Sequence, residues 1–163
     1  MKLLILGAGE YGKLVKELAQ KKYSTVDFLD DNSDAAIGKL DDYKTLAARY
    51  RDAVVAVGNS EIRLAWLDKL EHAGYRLPSV VSDRAFVSPS AELGPACIVE
   101  PMAVIHTGAV IGRGSIVSSG AVVNHNVTVG AGCHIDCNAV VGADATVPAG
   151  THLQYGQITE KDD

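Results

Sequence analysis

Short apolar runs alternate with helix-like stretches over the first eighty residues. "KLLILGAG" reads as a strand buried on both faces, and "EYGKLVKELAQKK" as a helix carrying Leu14, Val15, Leu18 and Ala19 on one side. "STVDFLDD" predicts a second strand, "DDYKTLAARY" a short helix and "DAVVAVGN" a third strand. "SEIRLAWLDKLEHAG" predicts a helix opened by Ser60 and closed by Gly74, and "YRLPSVVS" a fourth strand. Strand and helix in alternation imply a small parallel sheet with helical crossovers, a Rossmann-like βαβ unit over residues 1–82.

Beyond Ser82 the helical period vanishes and a six-residue beat replaces it. The chain divides into twelve hexads, from "AFVSPS" to "THLQYG", with an aliphatic residue in every third place from Val87 to Leu153. The first place is small or modest, and Gly, Pro, Asn, Asp and Ser gather in the last three. Such a run is the signature of a solenoid with one short strand per hexad and three strands per coil. Six residues per strand and turn is the beat of a left-handed parallel β-helix, so residues 83–163 are expected to form about four coils. In "AVVNHN" the inward place is Val123, which puts His125 fifth, at a corner. His134 and His152 are eighteen residues apart, one full coil, and should stack about 4.8 Å apart on one face. His106 falls near the corner of His125, one coil away.

Composition narrows the function classes. A net charge of −5 argues against a nucleic-acid or anionic-membrane partner, and no apolar run reaches the roughly 20 residues of a bilayer span. The three cysteines, Cys97, Cys133 and Cys137, lack framework spacing and suit reduced thiols in a cytoplasmic protein. "CHIDC" has the look of a metal knuckle, but Cys133 takes the inward first place and should face away from Cys137. "GAGEYG" sets Gly7, Gly9 and Gly12 in a GxGxxG pattern between strand and helix, with Asp30 eighteen residues further on. Three readings fit that turn: a nucleotide-sugar phosphate cradle, a purely structural tight turn, or NAD binding, for which the sheet half is short.

The two-part order, with "LLILGAGEYGKLVKELA", "FLDD", "AVVAVGNSEIR", "HAGYRLPSVVS", "AFVSPSAELG" and hexads containing "NHNVTVG", resembles the left-handed β-helix nucleotide-sugar acetyltransferases. The group is that of the sialic-acid O-acetyltransferase and the bacillosamine-pathway N-acetyltransferase. The resemblance implies a homotrimer with acetyl-CoA as co-substrate along the β-helix, and a sugar nucleotide on the N-terminal domain at Gly7, Gly9, Gly12, Asp30 and Asp31. It implies His125 as general base on an acceptor amine or hydroxyl, His134 near the acetyl group or coenzyme, and Gly142 offering a backbone amide to the thioester. A neutral imidazole suits proton removal at neutral pH, and the oxyanion that forms needs a donor.

The chain departs from the family pattern in two places. Asn126 stands where an acidic residue usually orients the imidazole and is expected to join His125 in catalysis by hydrogen-bonding a ring nitrogen, stabilising imidazolium less than a carboxylate would; the repeats also stop several coils early, after "THLQYGQITEKDD". The acidic "EKDD" is expected to shield the terminal edge of the stack. These departures keep a second class in view: a non-catalytic sugar-nucleotide-binding or scaffold relative that has lost the coenzyme groove. A γ-class carbonic anhydrase is a third, disfavoured by histidine separations of 19, 9 and 18 and by the N-terminal sheet.

Overall fold

In the computed structural model, which describes residues 1–161, the chain packs as two units, Met1–Pro78 and the remainder from Ser79. The last two residues of "EKDD" lie outside the described residues.

The first unit is built on three parallel strands in the order β2-β1-β3: β1 (Lys2–Leu6), β2 (Thr25–Leu29) and β3 (Asp52–Val55). Leu3, Leu4, Ile5 and Leu6 are fully buried, as the continuous apolar run requires of a central parallel strand. Helix α1 (Glu10–Ala19) buries Gly12, Val15 and Ala19. A 3₁₀ turn (Leu40–Asp42) leads into the one-turn α2 (Tyr43–Leu46), and α3 spans Ser60–His72. The cap of α3 is Asn59, one residue before the expected Ser60: its side-chain oxygen accepts from the Ile62 amide at 2.9 Å. Gly74, at φ +87°, closes that helix.

The fourth strand expected for this sheet belongs elsewhere. Val80–Val81 (β4) pairs in parallel with Ile98–Val99 (β7) and begins the solenoid, so the units part between Pro78 and Ser79. A chain that pairs two residues at a time offers no length signal to say which sheet takes them.

The second unit is a parallel β-solenoid with, among the described residues, fourteen two-residue strands on three faces. The first face stacks β4, β7, β10 (Ile116–Val117), β13 (His134–Ile135) and β16 (His152–Leu153). The second stacks β5 (Phe86–Val87), β8 (Val104–Ile105), β11 (Val122–Val123), β14 (Val140–Val141) and β17 (Ile158–Thr159). The third stacks β6 (Glu92–Leu93), β9 (Val110–Ile111), β12 (Thr128–Val129) and β15 (Thr146–Val147). Every pairing joins residues eighteen apart. The hexad count therefore extends by one strand at each end, to β4 and β17.

First-place and third-place residues form one core column, among them Cys97, Val99, Ile105, Ile111, Val123 and Cys133. The sixth place turns each corner with φ between 58° and 73°, from Ala96 through Asn126 and Asp144 to Gly156. Glycine, asparagine and aspartate populate most of these corners because they tolerate the left-handed region. Ser79, Cys97, Ser115 and Cys133 form a further column, each donating to a carbonyl fifteen residues on, at Gly94, Gly112, Gly130 and Pro148. The buried Cys133 has this structural partner, while Cys137 faces the other way, half-buried. The knuckle is thereby dismantled.

Candidate active site

The corner between the second and third faces carries His125. Its ring is exposed and, among the described residues, has no hydrogen-bond partner within the chain. The backbone there is fixed: the Asn126 amide donates to Thr107 O at 3.0 Å, and the Asp144 amide donates to His125 O at 3.0 Å. Asn126 does not orient the imidazole as expected. Its left-handed backbone sends the carboxamide along the corner column, where Nδ2 donates to Asp144 Oδ1 at 3.0 Å. Asn126 Oδ1 meanwhile lies where a Cβ on Gly108 would stand, at 2.6 Å. His106, one coil earlier, packs edge-on against Phe86 at 6.4 Å between ring centroids.

Gly142 differs from expectation in a second respect. Its amide donates to Thr159 O at 2.7 Å and so belongs to the ladder that the last strand completes. The neighbouring corner amide, that of Ala143, has no hydrogen-bond partner among the described residues. Ala143 is one coil above His125 on the same corner, so the donor on offer there is shifted by one residue.

His134 lies on the first face, not at the corner of His125, and one chain does not bring the two together. Its surroundings are dense. His134 Nε2 is 2.9 Å from Ser118 Oγ, and Ser118 Oγ donates to Glu100 Oε1 at 3.2 Å. Glu100 is buried and also accepts from the amide and hydroxyl of Ser119. When the Ser118 hydroxyl donates to Glu100, it accepts from His134, which places the neutral imidazole proton on Nε2. The rings of His134 and His152 stack as the spacing required, 4.6 Å between centroids and 1° between planes. Asp136, nearly buried, accepts from His152 Nε2 at 2.9 Å through Oδ2 and from the Cys137 amide at 2.8 Å through Oδ1.

Burial pushes the Asp136 carboxyl up, but the His152 and Cys137 hydrogen bonds and the two imidazoles outweigh it and hold the group below its ordinary value. Burial, with Glu100 and Asp136 close by, pushes the Cys137 thiol up. Sequence reasoning passed over Glu100, Ser118 and Asp136. They share the fourth place of successive first-face hexads, so the eighteen-residue rule that paired the histidines also finds them.

In the first unit, the glycine-rich turn separates into roles. A Cβ on Gly7 would approach Ala56 O to 2.7 Å and one on Gly12 would approach Gly7 O to 2.1 Å, whereas one on Gly9 would meet nothing within 4 Å. Gly7 and Gly12 are required by packing, and only Gly9 leaves open space at the start of α1. Asp30 Oδ2 accepts from the Ala8 amide at 2.8 Å and Oδ1 from the Asn32 amide at 2.8 Å. These two amides hold the Asp30 carboxyl below its ordinary value. Asp31 Oδ1 accepts from the Leu40 amide at 3.0 Å, which ties down the loop after β2.

Comparison with known proteins defines the class and then the family. The PglD N-terminal domain family matches residues 2–70. The acetyltransferase domain of PglB from Neisseria gonorrhoeae superposes with a TM-score of 0.90 at 31% identity, covering 99% of this chain and 92% of that one. The same domain in complex with acetyl coenzyme A gives 0.81 at 32% identity, covering 98% and 85%. A histidine-to-asparagine variant of perosamine N-acetyltransferase from Caulobacter crescentus, in complex with CoA and GDP-perosamine, shares the fold with a TM-score of 0.84 at 21% identity, covering 99% and 90%. No curated protein matches the chain. The architecture is that of a left-handed β-helix acetyltransferase with an N-terminal sheet domain. The chain belongs to the PglB/PglD-type family of sugar acetyltransferases.

Proposed function

We propose that the chain transfers an acetyl group from acetyl-CoA to an amine or hydroxyl of a nucleotide-linked sugar, with His125 as the general base. The observation that carries this is an exposed, unpaired imidazole at a rigid corner, in a chain whose relative from Neisseria gonorrhoeae binds acetyl coenzyme A. An imidazole with no partner of its own keeps a lone pair for the acceptor proton. His125 removes that proton as the sugar nitrogen or oxygen attacks the thioester carbonyl. The electron pair goes to the carbonyl oxygen, and collapse of the tetrahedral adduct expels the coenzyme thiolate. The Ala143 amide is the donor best placed by sequence register to meet the oxyanion, in place of Gly142, while Asn126 serves the corner through Asp144.

His134 contacts the coenzyme in this reading. Because His125 and His134 occupy different parts of one solenoid, both act on one reaction only if neighbouring copies supply them. The second face favours such an assembly: its outward column reads Phe86, Val104, Val122, Val140 and Ile158, with Phe86 54% and Ile158 66% exposed. A homotrimer would cover this apolar column. The sheet unit, Met1–Pro78, holds the sugar nucleotide, with its phosphates at Gly9 between Gly7 and Gly12 and its polar groups toward Asp30 and Asp31. Among the described residues no helix is long and apolar enough to cross a membrane, and the reduced cysteines suit the cytoplasm.

Calorimetry with acetyl-CoA tests the coenzyme assignment. Micromolar binding that weakens in His134→Ala is expected; absence of binding at millimolar concentration would leave the scaffold reading in its place.

A further inference from the structure

The first-face column shows that the solenoid does not demand histidine in the second place of a hexad. Ile98 and Ile116 occupy that place in the two coils below and are fully buried, and His134 and His152 follow them in register. Stacking a second imidazole on the first and pointing both toward one carboxylate therefore needs a reason beyond the fold.

We propose that His134, Asp136 and His152 form a binding site for a divalent transition-metal ion of the zinc class. The ligand atoms are two imidazole Nε2 and a carboxylate oxygen, a donor set that zinc favours. They lie within 4.8 Å of one another. Asp136 Oδ2 to His152 Nε2 is 2.9 Å and Asp136 Oδ1 to His134 Nε2 is 3.8 Å. A tetrahedral zinc with ligands at about 2.1 Å sets neighbouring ligand atoms about 3.4 Å apart. The required adjustment is a tilt of the imidazole edges toward each other that closes the 4.8 Å spread by about 1.4 Å, within the broad χ2 range of histidine. Each neutral imidazole binds in the tautomer that carries its hydrogen on Nδ1, so the hydrogens that His134 Nε2 directs at Ser118 and His152 Nε2 at Asp136 move to Nδ1 by exchange with solvent and free both Nε2 lone pairs for the ion.

The surroundings are those of a supported site. The Cys137 amide holds Asp136 Oδ1 and leaves Oδ2 toward the ion. Ser118, fixed by buried Glu100, is bonded to His134 Nε2 in the ion-free chain and gives up that contact when the ion binds. His134 and Asp136 are largely sheltered, at 20% and 9% side-chain exposure, whereas His152 is 46% exposed, which gives the ion an entry path and an open fourth position. The site shares His134 with the proposed coenzyme contact, so ion and acyl donor would exclude each other. That consequence rests on the proposed function; the binding does not.

The test uses the full chain stripped by a chelator. Zn²⁺ is titrated by calorimetry and Co²⁺ by visible absorption, without coenzyme or sugar, so its outcome is separate from that of any turnover assay. One ion per chain with the absorption of tetrahedral Co²⁺ is expected, weakened at least tenfold in Asp136→Asn and His152→Ala. His152→Phe, which keeps a ring stacked on His134 but offers no nitrogen, should lose the ion equally while melting like the parent chain. Absence of binding at millimolar ion, or parental affinity in His152→Phe, would overturn the site.

Discussion

Replacing His125 and Asn126 separately should split activity from stability, because the corner gives the two neighbours different work. The His125 ring is exposed and unpaired, so His125→Ala should leave unfolding free energy within about 0.5 kcal/mol of the parent. Loss of a general base should lower kcat by about 10² to 10⁴, or about 2.7 to 5.4 kcal/mol of transition-state stabilisation. Asn126 reverses the pattern. Its side chain makes a surface hydrogen bond to Asp144, about 0.5–1 kcal/mol, and its backbone sits at φ 58°, where alanine adds about 1–2 kcal/mol. Asn126→Ala should thus cost about 1.5–3 kcal/mol and Asn126→Gly at most about 1, since glycine accepts the left-handed corner. Denaturant unfolding and steady-state acetyl transfer to a sugar nucleotide, run on all three variants, read both quantities. Asn126→Gly with a kcat as depressed as that of His125→Ala would refute the reasoning, because it would show the carboxamide acting on the imidazole. So would a folded His125→Ala with parental turnover.

Three further outcomes follow from packing and titration. A Cβ on Gly112 would stand 2.5 Å from the backbone of Gly130 and Ala131 in the next coil, so Gly112→Ala should lower stability by about 1–3 kcal/mol or more. Gly9→Ala, with open space around its Cβ, should melt within about 0.5 kcal/mol of the parent yet bind sugar nucleotide more weakly, and unchanged affinity would remove Gly9 from the cradle. Burial pushes the phenols of Tyr23, Tyr50 and Tyr75 up to about 12, with hydrogen bonds to Asp52 and Asp27 adding to the effect at the first two. Below pH 10 both folded and unfolded chains keep these protons, so their contribution to stability is fully present and does not vary with pH. Between about pH 10 and 12 the unfolded chain loses them first, and stability should fall across that window. Chemical denaturation at stepped alkaline pH should show this slope, and a flatter one in Tyr23→Phe.

The core of the solenoid was readable from the chain because its geometry is periodic. Once an aliphatic residue falls in every third place of a hexad, each residue's neighbour above is the one eighteen further on. A contact such as His134 with His152 then becomes as legible as a helical i to i+4 pair. Corner placement of His125 followed from the same count, as did the inward Cys133.

Tertiary structure decided what periodicity does not encode. Hydrogen-bond partners depend on rotamers and on backbone handedness at each corner, so neither the turning of Asn126 toward Asp144 nor the engagement of the Gly142 amide with Thr159 is contained in the spacing. The assembly of Glu100, Ser118, Asp136 and two histidines on one face depends on side chains from four coils meeting over a buried carboxylate. Val80–Val81 joined the solenoid because Ile98–Val99 offered it a free edge, a competition between sheets that no local apolar run can settle. Local pattern selects the element and its inward face, whereas long-range packing selects the partner.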